Sequence, residues 1–121
     1  MNFYENLEDA MKNLTTRGAF LTVKNNKGVN TMTIAWGYIG FSWNKPYFVA
    51  MVRPQRYTYE FLKTAKDYTI SIPYSDGMKK ALTICGTKSG KDIDKAKEAN
   101  IKFLNSKTVS SPIVDNCNMY Y

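Results

Sequence analysis

Between residues 19 and 53 the chain spells out strand-forming stretches separated by turn residues, which confines it to a small set of folds. AFLTVKN, at 19–25, reads as a strand and is followed by the turn NNKG. VNTMTIAWGYIGF, at 29–41, is rich in β-branched and aromatic residues and reads as one long strand with a bend at Gly37. WNKP makes the next turn. YFVAMV, at 47–52, is a near-continuous apolar run ending at Arg53, the pattern of a buried central strand. Strands joined by such short turns pair antiparallel.

Helical spacing brackets this meander. Leu7, Ala10, Met11 and Leu14 mark one face of a helix over 5–14, and Gly18 punctuates its end. After Pro54, Tyr57, Phe61, Leu62 and Ala65 suit a helix over 56–66. DYTISIPY, at 67–74, alternates again, with Tyr68, Ile70 and Ile72 on one face. DGMKKALTIC, at 76–85, suits another helix, and GTKSG a tight polar loop. KDIDKAKEANI, at 91–101, reads as a further helix, with Asp92 as N-cap and Ile93, Ala96 and Lys97 on its inner edge. The tail holds short extended segments and stops at NMYY, where Tyr120 and Tyr121 look like exposed aromatics on an unfinished strand. The expected architecture is an α+β domain on an antiparallel sheet, curled into a small barrel. At 121 residues, one domain is expected.

Composition removes several chemistries. There is no histidine, which excludes Ser-His-Asp and Cys-His nucleophilic machinery and the commonest metal ligand. The two cysteines, Cys85 and Cys117, are too few and too far apart for a disulfide scaffold or a zinc site. They read as reduced thiols, a redox pair requiring close approach in space. No metal site is expected. An enzyme of this composition would draw its reactivity from a bound organic cofactor. The net charge of +7 suits nucleic acid, membrane surfaces or phosphorylated small molecules, or simply a solvated lysine surface, since the lysines are scattered. No run approaches a membrane span, and the acidic N-terminal stretch lacks the features of a secretory signal, so a cytoplasmic protein is expected.

Three stretches could carry chemistry. VRPQRYT, at 52–58, holds two of only three arginines, Arg53 and Arg56, followed by Tyr57 and Thr58. A strand ending at Arg53, a proline and a helix start would gather arginine forks, a hydroxyl and free N–H groups at a phosphate. The alternative is a structural arginine pair bridging surface carboxylates. ICGTKSGKDIDK, at 84–95, places Gly86 and Gly90 where backbone can approach closely, with Thr87, Ser89 and Lys91 as donors. It lacks P-loop spacing and could equally be an ordinary connecting loop. NTMTIAW, at 30–36, sets Asn30, Met32, Ile34 and Trp36 on one face and Thr31, Thr33 and Ala35 on the other. That pattern fits a strand lining a flat ligand, or a half-buried strand with no ligand.

As an ordered set these stretches resemble the flavin reductase-like family, most of all its small flavoredoxin-type members. The family pattern runs N-x-M-T, W-x-x-P, V-R-P-x-R-x-[ST] and C-G-x-x-S-G-[KR]-D-x-D-K, and every element stands here in order across about residues 17–100. The resemblance implies a homodimeric, antiparallel FMN-binding split β-barrel with short flanking helices. It implies that Asn30 to Trp36 flank the flavin ring, and that Arg53, Arg56, Tyr57 and Thr58 hold the phosphate and ribityl chain. It further implies that the loop from Cys85 through Lys88 to Lys91 closes over the cofactor. Family members continue for several strands beyond NMYY, so a single domain over 1–121 lacking those C-terminal strands is expected. The functional expectation is an FMN-dependent oxidoreductase. It would take electrons from NAD(P)H or a redox protein, with the chemistry on flavin N5 and no catalytic side chain. The alternative is a non-enzymatic electron carrier or flavin-storage module. A nucleic-acid binder is disfavoured because no recognition motif is present.

Overall fold

The computed structural model describes residues 4–121; residues 1–3 of the acidic N-terminal stretch lie outside the described residues. Helix α1 (Leu7–Thr16) buries Ala10, Asn13 and Leu14. It turns into strand β1 (Ala19–Asn25) through Gly18, whose φ of 94° suits glycine. β1 pairs antiparallel with β2 (Gly28–Ile34) on one side and with β5 (Thr69–Ile72) on the other. β8 (Met119–Tyr120) joins β5, giving a four-stranded sheet in the order β2-β1-β5-β8. β3 (Gly37–Ser42) and β4 (Lys45–Ala50) form a separate hairpin. β6 (Phe103–Leu104) and β7 (Ile113–Val114) form a short ladder.

Strand alternation sends β1 into two cores. Leu21 and Val23 face Ala10, Leu14, Met32, Ile70 and Ile72. Phe20 faces Ala81, Leu82, Cys85, Ile101 and Val114 on the opposite side. Both faces of the sheet are therefore covered. Each fully buried large side chain contributes about 1.5–3 kcal/mol, so Phe20 and Leu21, both essentially inaccessible, anchor the centre. The architecture is α+β on antiparallel sheets with short helices, as the sequence pattern indicated. Among the described residues no helix is long and apolar enough to cross a membrane.

Several elements differ from expectation. The long strand over 29–41 is two strands in two sheets. β1 begins at Ala19, opposite Ile34, so Ala35 and Trp36 have no partner and the chain crosses to the hairpin. YFVAMV is not a buried central strand. β4 pairs only with β3 and leaves Tyr47, Val49 and Met51 exposed. The turn centres on Trp43 and Asn44, whose φ values of 47° and 61° match the twist of a two-residue hairpin loop, so Lys45 and Pro46 already belong to β4. The helix over 56–66 shrinks to α2 (Tyr57–Leu62).

Helix α3 (Lys79–Thr87), entered through a 3-10 turn at Asp76–Met78, runs on through Cys85, Gly86 and Thr87, which the sequence assigned partly to a loop. Packing overrides the glycine there, since Gly86 lies against Thr33. The helix over 91–101 is only α4 (Lys95–Glu98). Its cap is Asp94, which accepts from the Lys97 N–H at 3.3 Å; Asp92 instead donates its N–H to the Ser89 carbonyl. Lys95, not Lys97, turns inward. Tyr120 and Tyr121 are half-buried rather than exposed, Tyr121 packing 5.6 Å from Phe48.

The β5 side of the sheet is held to the tail by Asp67. Its carboxylate accepts from the Ser110 N–H (3.0 Å) and hydroxyl (2.9 Å) and the Ser111 N–H (2.9 Å). Partial burial alone would raise the carboxyl, but the bonds from Ser111 and Ser110 outweigh it and hold Asp67 at about 2, against the ordinary 3.8. A depressed carboxylate contributes stability that is full above its unfolded pKa and is lost as pH falls toward 2. Asp67→Ala is expected to lose on the order of 1 kcal/mol at pH 7, the open site screening the full linkage value. Urea midpoints for parent and variant should converge between pH 4 and pH 2; an equal gap at both ends would remove the carboxylate from the explanation.

Candidate functional site

β2 is the outer strand of its sheet, so the backbone groups on its free side lack ladder partners. One side chain caps a backbone group of β2, and two side chains of β2 tie the strand to the neighbouring helices. Lys95 Nζ donates to the Thr31 carbonyl at 2.7 Å. Thr33 Oγ1 donates to the Leu82 carbonyl of α3 at 2.5 Å. Asn30 Nδ2 donates to Thr58 Oγ1, in α2, at 2.7 Å. Antiparallel backbones alternate direction, so the Thr33 main-chain groups point the same way as the Thr31 carbonyl.

Next to this edge lies an open cleft of about 670 Å³, at the place where β2 leaves for the hairpin and β4 leaves for α2. One wall is Met32, Thr33, Ile34, Ala35 and Trp36; the other is Ala50, Met51, Val52 and Arg53, followed by Gln55 and Arg56. The Arg53 guanidinium sits 5.7 Å from the centre of the Trp36 ring. Arg56 is half-buried, and its Nη2 donates to the Cys85 carbonyl at 3.4 Å. Lys95 Nζ donates to that same carbonyl at 3.2 Å. Burial lowers the Arg56 pKa, and the charge of Arg53 lowers it further. Among the described residues the ion pairs are Arg17–Asp76 and Lys63–Glu60, so no carboxylate compensates Arg53, Arg56 or Lys95. A carboxylate-bridging role for the arginine pair is thereby removed among the described residues. Three cations without a counter-charge are suited to an anion, and arginine forks match the oxygens of phosphate. α2 has only six residues, so this chemistry rests on the side chains rather than on a helix dipole.

Of the residues singled out from sequence, Met32 to Trp36, Arg53 and Arg56 meet in the cleft. The others lie around it. Asn30 and Thr31 are buried behind β2, and the Thr31 hydroxyl is bonded to Thr22 and to the Leu21 carbonyl. Tyr57 packs edge-on against Phe61, and Thr58 is buried with its hydroxyl accepting from Asn30. Cys85 is buried, which raises its thiol pKa and keeps it protonated; only its carbonyl takes part. The Thr87 hydroxyl bonds back to the Thr83 carbonyl, Ser89 accepts from the Lys91 N–H, and Lys88 and Lys91 are exposed. Sequence reasoning missed Ala50, Met51, Val52 and Gln55, which line the cleft because β4 is a hairpin strand and the chain beyond it runs along the opening. It also missed Lys95, although a lysine closing D-x-D-K on a short capped helix is a visible signal.

The family model for the flavin reductase like domain matches residues 11–121. The chain belongs to this family. Among solved structures, a FMN-binding domain of a flavin reductases-like enzyme from Shewanella baltica OS155 superposes with a TM-score of 0.75 at 19% identity, over 94% of this chain and 60% of that one. Flavoredoxin of Desulfovibrio vulgaris (Miyazaki F) gives 0.74 at 25% identity, over 83% and 54%. A split-barrel domain protein from Shewanella frigidimarina NCIMB 400 gives 0.71 at 16% identity, over 100% and 66%. The fold is thus the split barrel of the flavin reductase-like domains, and the chain spans 54 to 66% of the length of these structures. No curated protein sequence matches it.

Within this flavin reductase-like domain, Gly90 is where the 85–91 loop meets β2. A Cβ there would stand 2.1 Å from Asn30 Oδ1 and 3.3 Å from Tyr57. Gly90→Ala is expected to push Asn30 off the Thr58 hydroxyl and to destabilise the protein by about 1–3 kcal/mol, the usual effect of stranding a buried polar group. Chemical denaturation measures this. A variant as stable as the parent would mean that the loop backs away freely.

Proposed function

We propose that this chain is the FMN-binding part of a cytoplasmic flavin reductase-like oxidoreductase. It would pass electrons from a reduced nicotinamide nucleotide, NADH or NADPH, or from a redox protein, to an acceptor. The observation that carries this reading is the group of uncompensated cations at the edge of β2, beside an open cleft of a size that accepts an organic cofactor. The names of the similar proteins, a FMN-binding domain and a flavoredoxin, support it.

The residues fit the group. Arg53 and Arg56 would hold the phosphate. The wall from Met32 to Trp36 would flank the ring, with Thr33 main-chain groups available to its polar edge. When bound, the flavin supplies the two-electron chemistry at N5. The chain's own contribution is to orient the ring, hold the phosphate and limit water. None of these tasks needs an acid or base from the protein, consistent with a chain that has no histidine. Oxidation of NADH or NADPH by the FMN-loaded protein tests the reading; tight flavin binding without turnover would leave a carrier or storage role instead.

If the arginines hold the phosphate, Arg56→Ala should weaken FMN about 10- to 100-fold and spare riboflavin, which has no phosphate. Lysine should restore it only in part, since a point charge replaces a fork. Fluorescence titration of both flavins measures this, and equal losses would move the arginines out of the phosphate site.

A homodimer is the second expectation. The hairpin exposes Tyr38, Phe41, Tyr47 and Val49, and Trp43 at its tip is 91% exposed. An apolar surface of this kind on a strand pair is an association surface. Light scattering should give twice the 13.8 kDa chain mass, and Phe41→Lys with Trp43→Lys should shift the protein to monomer. A monomeric parent with FMN bound would rule the dimer out.

A further inference from the structure

Lys95 is a cation with an unusual address. Its side chain passes from α4 to the edge of β2, and only 6% of the residue is exposed. Nζ bonds two carbonyls, Thr31 at 2.7 Å and Cys85 at 3.2 Å. The second is also the acceptor for Arg56. Two cations therefore share one carbonyl oxygen, and a bound anion would relieve the repulsion between them. An ammonium has three N–H groups, and two of Lys95's are used. The side chain also borders a smaller cavity of about 240 Å³, shared with Asn30, Gly90 and Asp94, which is roomy enough for water. Water entering it would offer the amine a route for proton exchange.

We propose that Lys95 is a positioning residue for the anion site and makes its preference for phosphorylated flavin pH-dependent. The inference rests on the phosphate reading above. In mechanical terms, Lys95 ties the last turn of α3 to β2 and so fixes the carbonyl that orients Arg56. In electrostatic terms, it adds a third positive charge that can be lost within an accessible pH range.

The surroundings support a titrating group. From α3 comes the Cys85 thiol, kept protonated by burial. Ahead of α2 comes Arg56, whose charge is permanent. At the N-terminus of its own element stands Asp94, whose carboxylate is engaged with the Lys97 N–H; β2 contributes uncharged groups, the Thr31 carbonyl and hydroxyl and the Asn30 amide. Burial lowers Lys95, the neighbouring Cys85 draws it partway back, and Arg56 lowers it again, to about 8. A bound phosphate dianion would favour the charged amine, so binding above pH 8 must take up a proton and weakens as pH rises.

The test measures dissociation constants for FMN and riboflavin between pH 7 and pH 9.5, in the parent, Lys95→Arg and Lys95→Met. A phosphate monoester loses its second proton with a pKa of about 6, so it is close to a dianion throughout this range. The riboflavin control removes anything that acts on the ring or the fold. The preference for FMN should fall about tenfold in the parent. It should stay high and flat in Lys95→Arg, and low and flat in Lys95→Met. If Lys95→Met does not fold, the parent and Lys95→Arg still decide the matter. A parent preference for FMN that is constant with pH, or a falling one in Lys95→Arg, overturns the role of Lys95. A parent with no preference for FMN at any pH overturns the phosphate reading itself, which is a different failure.

Discussion

An outer strand carries a row of backbone groups with no ladder partner, and in this protein that strand is β2. The way its edge is closed governs everything near it. Another strand would have satisfied the edge and left no room for a ligand. Here Lys95, reaching in from α4, bonds a backbone group of β2 at the Thr31 carbonyl, while two side chains of β2 itself reach outward, Asn30 to α2 and Thr33 to α3. The edge is thus stitched at separate points, and the backbone of Thr33 is left facing the cleft. Sheet, helices and site share one set of hydrogen bonds.

The same closure gathers positive charge. Burying cations without partners is costly, because each loses hydration that the protein does not replace. The fold tolerates it at Arg56 and Lys95 by giving both a carbonyl, while Arg53 stays exposed and sits over the Trp36 ring. Carbonyl dipoles compensate only part of a full charge, so the cluster remains poised for an anion. Departures from local optimality of this kind concentrate where a protein binds something. The exposed hairpin is a comparable departure. Trp43 takes the left-handed φ of 47° that its turn requires, uncommon for a large residue, and leaves its ring in solvent.

Much of this was legible in the sequence because it depends on local pattern. The helical spacing of Leu7, Ala10, Met11 and Leu14 survives as α1, with Ala10 and Leu14 buried, and the strand read over 19–25 survives as β1 with the same bounds. The cleft wall from Met32 to Trp36 and both arginines were readable from strand pattern and residue chemistry. Lys95 was marked only by the D-x-D-K motif that it closes. A lysine four positions from a glycine loop has the composition of a solvated surface, and only the position of β2 shows that its amine is enclosed. Thr58 shows the converse: its hydroxyl is buried and accepts from Asn30, 28 residues away, a partnership that the sequence does not show and that leaves its own O–H free to donate.

By itself the sequence determined the class of the fold, the order of its elements and the kind of chemistry open to it. Those follow from periodicity, turn residues and which side chains are present or missing, and none of them requires knowing what lies far along the chain. Tertiary structure alone decided which strand became an edge, where the 29–41 stretch broke, and which polar groups were consumed by the fold. The reason is that these depend on partners distant in sequence. Ala35 and Trp36 leave the ladder because β1 starts opposite Ile34, and Lys95 is drawn inward because the Thr31 carbonyl, 64 residues away, has nothing else to bond.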